Sequence, residues 1–232
     1  MNFLQLVNRV RLESGASGPQ LISVGGTLSF ENMRFKANVN EAWMDVQRLN
    51  PYWKFMQREF AKPTIAGQQA YTPTDVAPVG WGITDFKNWK RDTFRLYTTS
   101  VGTPDEQILG FLDYETFRNL YVFGNMRTTQ QRPAVFTVAP NKSILFGAVP
   151  NAVFTCVGEY FAKPTEMTAD TDVPGLLPDD FHMLIVWRAM LNYGEFEAAP
   201  EVLRRAQRNI LNLQSRLEID QGQELVFGPP LA

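Results

Sequence analysis

Phe60-Ala61-Lys62-Pro63-Thr64 recurs as Phe161-Ala162-Lys163-Pro164-Thr165. The two copies bracket a change of sequence character. Outside them the chain reads mainly as helix, and between them mainly as short strands. Two readings fit the repeat. In one, a β-rich block leaves and rejoins a helical body at two like-built exits that sit side by side. In the other, Lys-Pro ends two strands in the same way, since proline removes a ladder donor and keeps the preceding residue extended. The flanks differ, Gln57-Arg58-Glu59 against Gly158-Glu159-Tyr160, so the chain is not a repeat array. Both readings give one outline: α+β, a helical bundle built from N- and C-terminal segments with an inserted small antiparallel β domain. The expected division is 1–60 with 162–220 for the bundle, 61–161 for the insert and 221–232 for an extended C-terminal arm.

Ahead of the first copy, Phe3, Leu6, Val7, Val10 and Leu12 mark a short amphipathic helix, ended by Ser14-Gly15-Ala16-Ser17-Gly18-Pro19. A second helix is predicted from polar caps at 29–32. Its stripe runs Phe35, Val39, Ala42, Val46, Leu49, Trp53 and Met56, with Pro51 ending or kinking it near Asn50. Between the copies, Phe94–Tyr97, Ala134–Val138, Ser143–Phe146 and Ala152–Phe161 are β-branched and aromatic runs separated by Pro and Gly. They predict a small antiparallel sandwich or barrel with Trp81, Trp89 and phenylalanines in its core. Asp113–Leu120 is expected to be a helical turn within it. After the second copy, Pro178-Asp179-Asp180 opens a helix. Its body, Phe181–Leu191, is apolar almost all round and therefore needs cover on several sides; Gly194 is expected to stop it. Pro200 opens the last helix, striped by Leu203, Ala206, Ile210, Leu213 and Leu217. Arg204, Arg205, Arg208 and Arg216 lie off the stripe.

Bulk properties exclude several classes. Across 232 residues, 44% apolar and 20% charged content describes an ordinary globular protein. A net charge of −2 argues against a dedicated nucleic-acid binder. Cys156 is the only cysteine, so no intramolecular disulfide forms. The N-terminus lacks a signal-peptide pattern, and the longest apolar run, Met183–Trp187, is too short to span a membrane. A soluble protein made in the cytoplasm is expected.

Catalytic patterns are not found. The single histidine, His182, has Asp179 one turn back, which reads better as a capping or partly buried pair than as half a triad. Two ligands are too few for a closed metal site. Cys156 in a strand run reads as a small hydrophobe. Val24-Gly25-Gly26-Thr27 lacks the Gly-Lys-Ser/Thr of a phosphate loop. Asp170-Thr171-Asp172 starts like a calcium loop, but its twelfth position is Phe181 where a bidentate Glu is required. No catalytic residue, metal ligand or cofactor is therefore expected. Lys87-Asn88-Trp89-Lys90-Arg91, flanked by Asp85 and Asp92, reads as a solvated sheet edge before a nucleic-acid patch. The arginine row on the last helix is either a solvated face or a set of contacts to a neighbouring subunit, made by Arg204, Arg205 and Arg208.

One resemblance emerges from the C-terminal third. Glu159-Tyr160-Phe161-Ala162-Lys163-Pro164-Thr165 leads through Asp170–Pro174 and Leu177–His182 to Trp187-Arg188-Ala189-Met190-Leu191-Asn192-Tyr193. Together with Phe3–Val7 before Ser14-Gly15, and Glu41-Ala42-Trp43 before Trp53-Lys54-Phe55, this resembles head-to-tail adaptor proteins of tailed bacteriophages. The resemblance implies a non-catalytic ring of copies, twelve to match the portal above. Such a ring lies at the head–tail interface of the virion, extends the DNA channel and meets a downstream tail or nozzle protein. DNA would pass without sequence-specific binding, and assembly would take place in the host cytoplasm without membrane contact. The apolar tail would be a portal-binding arm anchored by Leu225, Val226 and Phe227 with Pro229 and Pro230. An alternative function is a tail-associated binding module whose aromatic β domain, through Trp81, Trp89 and Tyr97, recognises a host-surface carbohydrate.

Overall fold

The computed structural model describes residues 1–222. Five helices lie among those residues: α1 Phe3–Ser14, α2 Phe30–Leu49, α3 Tyr114–Phe117, α4 His182–Phe196 and α5 Pro200–Gln221. Ten strands accompany them: β1 Gln57–Pro63, β2 Ala70–Tyr71, β3 Phe86–Thr98, β4 Gln107–Ile108, β5 Gly110–Phe111, β6 Gln130–Gln131, β7 Val135–Val138, β8 Ile144–Gly147, β9 Val149–Pro150 and β10 Phe154–Ala162. The architecture is α+β, with a helical bundle drawn from both ends of the chain and a mainly antiparallel β insert. Among the described residues two compact units result, Met1–Met56 with 164–222, and Gln57–Lys163.

In the helical unit, α1 starts with a reciprocal cap. Asn2 accepts from Gln5 N, and the Gln5 side chain accepts from Asn2 N, each at 2.9 Å, which satisfies two otherwise orphaned donors. α2 is capped by Ser29 and buries Phe35, Val39, Ala42, Trp43 and Val46. It stops at Leu49 because Pro51 drives Asn50 into extended backbone, φ −139° and ψ 124°. The predicted stripe therefore breaks before Trp53 and Met56, yet both are buried. Trp53 folds back on the helix and donates from Nε1 to Val46 O at 2.9 Å.

The apolar α4 meets α1, α2 and α5, and Leu184, Ile185, Val186, Ala189 and Met190 are sealed from solvent. Gly194 does not stop it, contrary to the sequence expectation; the helix continues to Phe196. A Cβ at Gly194 would stand 3.1–3.3 Å from Leu203 and Val202. The missing side chain thus lets α5 approach closely. The stop comes at Ala198, whose φ is +51°, with Ala198 N donating to Glu195 O and Ala199 N to Gly194 O. This is the Schellman closure, with alanine where glycine is usual.

The β unit has two four-stranded sheets, in orders β1-β10-β3-β4 and β2-β8-β7-β5, and a small β6-β9 pair. Only β5-β7 and β6-β9, two residues each, run parallel. Phe94 on β3 and Phe136 on β7 stack across the two sheets with centroids 4.4 Å apart. Phe60 touches Trp81, Trp89 and Phe94 at 5.1–5.3 Å, so the sandwich core is largely aromatic. β1 and β10 pair antiparallel from Gln57↔Phe161 to Pro63↔Thr155. The insert's two ends therefore lie side by side, but the first pentapeptide does not mark one of them. Pro63 closes β1 at the far end of the pair, while Ala162 closes β10 at the near end. The repeat is a strand terminator used twice, and the helical unit gives way to strand at Gln57, ahead of the first copy.

Candidate functional site

His182, Cys156, Asp170 and Asp172, the reactive-looking side chains of the sequence, each serve the fold. His182 is buried; its Nε2 donates to Leu177 O at 3.2 Å and its Nδ1 accepts from the Met1 amino group. Burial first, and the nearby positive amino group second, hold its pKa below the usual histidine value, so the ring is neutral. Cys156 is fully buried on β10, and burial alone pushes its thiol pKa up, which removes the thiolate that nucleophilic chemistry needs. Asp170 accepts from Val24 N at 2.6 Å. Asp172 accepts from Thr168 N at 2.7 Å and Ala169 N at 2.8 Å. These backbone bonds lower both carboxyl pKa values and pin a loop. Among the described residues no group of three or more His, Cys, Asp or Glu could hold a metal ion.

Two of the three aromatic residues put forward for carbohydrate, Trp81 and Trp89, are interior, which removes most of the support for that alternative. Trp81 is 5% exposed and Trp89 7%, with Trp89 Nε1 donating to Lys142 O at 2.8 Å. Tyr97 is half-buried. A sugar-stacking platform needs open ring faces, and the two tryptophan faces are covered by Phe60, Tyr71, Phe86 and Phe94. The same burial removes the stacking ring from the Lys87–Arg91 patch, where Lys90 pairs instead with Glu159 at 2.6 Å. Two concavities mark this unit. An open one of 620 Å³ lies beside the β10 irregularity at Gly158 and is lined by Glu59, Asp92, Arg95 and Glu159. An apolar groove of 330 Å³ is lined by Pro63, Ile65, Tyr71, Val76, Pro78 and Trp81. The first gathers the carboxylates of Glu59, Asp92 and Glu159 around Arg95 and Thr93, with Glu159 engaged by Lys90; the second is apolar.

What remains is surface. The three arginines singled out on α5 have separate situations. Arg204 pairs with Glu201 one turn back at 2.6 Å, and both are well exposed. Arg205 is tied into its own subunit, 2.8 Å from Glu13 and lying over the Trp187 ring at 4.9 Å; Glu13 also pairs with Arg9 at 2.7 Å. Arg208 is exposed and has no ion-pair partner among the described residues. The arm residues Leu225, Val226, Phe227, Pro229 and Pro230 lie outside the described residues. Periodicity missed a charge asymmetry that was visible in the sequence. Between Lys163 and Arg188 stand five carboxylates, Glu166, Asp170, Asp172, Asp179 and Asp180, and no lysine or arginine.

No helix among the described residues is long and apolar enough to cross a membrane. No curated protein matches the chain. A model of the SU10 adaptor protein family matches it over residues 1–230.

Proposed function

Because the chain belongs to the SU10 adaptor protein family, we propose that it is a structural adaptor of a phage virion that binds below the portal as a ring, extends the DNA channel and joins head to tail. Membership in an adaptor family implies binding to other head and tail proteins of a phage, and a role in assembly instead of catalysis. The observation that carries the reading is the extent of that match, which takes in both the helical unit and the β insert. A ring sets one requirement, and two features of the chain support the reading. Obligate rings form by head-to-tail contacts between two different faces of each subunit, burying on the order of 2,000 Å² or more. A net charge of −2 suits a channel past which DNA slides, since basic rows would hold phosphates. The segment after Gln221, with Leu225, Val226, Phe227, Pro229 and Pro230, is apolar enough to serve as an arm that adds main-chain hydrogen bonds to an exposed strand edge of the portal.

The test is a mixing experiment. The purified protein is sized alone and after addition of portal rings, beside a variant truncated after Gln221. The full chain is expected to be a monomer alone and to join the portal as a twelve-copy ring, while the truncated chain stays monomeric and folded. Failure of the full chain to bind any portal assembly overturns the adaptor reading. Undiminished binding by the truncated chain overturns the arm.

A further inference from the structure

We propose that the outward face of α5 docks on the acidic 166–180 segment of the next copy. The inference rests on the ring reading above and assigns the two faces that such a ring needs.

α5 has two stripes. Its inner one buries Ala206, Ile210 and Leu217. At 100° per residue, Arg204, Arg208, Leu211 and Ile219 fall on the opposite side. The two apolar members are well out in solvent, Leu211 at 68% and Ile219 at 84% exposure. Arg208 has no ion-pair partner among the described residues, and Arg204 holds the exposed Glu201 and, at 3.4 Å, Pro200 O. Such exposed pairs are weakly held and easily exchanged. Arg205, by contrast, is drawn off this face by Glu13 and Trp187. The face is thus apolar and positively charged, and no other part of the described residues covers Leu211 or Ile219. Arginine beside exposed aliphatic side chains is the composition of a protein contact.

The complement lies elsewhere on the same helical unit. The segment from Pro164 to the start of α4 carries only negative charge. It is anchored to α1 and α2, through Phe3 N to Asp172 O at 2.7 Å and Gln47 Nε2 to Thr165 O at 3.0 Å. Asp170 and Asp172 are engaged in loop bonds, whereas Glu166 and Asp180 are exposed. Val173 at 56% and Leu176 at 65% exposure stand between them. One face is therefore basic and apolar, the other acidic and apolar. Two unlike faces on one compact unit make a contact that repeats from copy to copy. Opposed charges would set the register and steer the encounter, and the apolar residues would supply buried area.

The experiment uses the full chain with portal rings and reads the ring-sized species. Wild type is expected to form it. R204E/R208E is expected to lose it, because like charges would face each other, and E166K/D180K is expected to lose it for the same reason. The quadruple variant, with the charges exchanged across the contact, is expected to regain it. Ring formation by R204E/R208E at the wild-type level overturns the assignment of α5. Loss in R204E/R208E without recovery in the quadruple variant overturns the assignment of the acidic segment. If wild type itself forms no ring, the adaptor reading fails and this inference falls with it.

Discussion

His182 is a neutral side chain held in a protein interior, and its protonation has a defined direction. Burial lowers its pKa from the ordinary 6.5, so the unfolded chain binds the proton more readily than the folded one. Stability is then highest above pH 6.5 and falls as the pH drops through 6.5 towards the lower folded value. Carboxylates act in a separate window. Asp105 is held at about 2, first by its bonds to Thr98 and then by Arg132, and Asp170 and Asp172 are lowered by backbone donors. Their stabilisation is present above 3.8 and is lost only as pH falls below that. Urea midpoints between pH 7.5 and 5 therefore isolate the histidine. Wild type should lose stability across that range and His182→Gln should be flatter. An identical slope in both proteins would show that the histidine is not the titrating group. The histidine's solitude, and so its unfitness for a triad, was legible in the sequence. Its partners were not, since Leu177 and Met1 reach it only through folding.

At the level of elements, periodicity located the helices well and their ends less well. Pro51 was a reliable stop because its ring acts on the neighbouring residue whatever the surroundings. Gly194 was misread because helix propensity is a weak prior that packing overrides. Absence of a side chain there serves α5, which no local signal announces. The true stop, Ala198, adopts a left-handed conformation that costs a non-glycine residue about 1–2 kcal/mol. Ala198→Gly relieves that strain and gives back part of the gain through the freer unfolded chain. A net stabilisation of about 0.5–1 kcal/mol is expected, measured by urea denaturation. A destabilised variant would mean that the Ala198 methyl makes a packing contribution larger than the strain. Strand β1 was legible only at its end, where Lys62-Pro63 stops it; its start was not, because Gln57-Arg58-Glu59 carries no alternating apolar pattern. Its ladder to β10, not its side chains, makes it a strand.

At the scale of the molecule, the insert is a compact unit with a core of its own. Gln57 and Phe161 are direct partners near its two ends, which places these two Cα atoms ~5 Å apart. Its core of Phe60, Trp81, Trp89, Phe94 and Phe136 comes from its own residues. The excised segment 57–163 is expected to unfold in one cooperative urea transition with the near-ultraviolet signal of packed tryptophan. A broad, non-cooperative loss of signal together with dye-accessible apolar surface would show that it depends on the rest of the chain. The aromatic runs that made a carbohydrate platform conceivable are the same ones that fill this core. Composition could not separate the two uses, because ring exposure is a property of packing.

The sequence alone determined the α+β outline, the helical stripes and the lack of a catalytic pattern, all of which follow from local spacing and residue chemistry. Tertiary structure alone decided which end of the β1–β10 ladder each pentapeptide closes, why Gly194 sits inside a helix, and which α5 arginine pairs with a distant carboxylate of its own subunit. Those outcomes depend on contacts between residues far apart in the chain, such as Arg205 with Glu13 and Gly194 with α5. No local pattern encodes such contacts, because their energy exists only once the partners have been brought together.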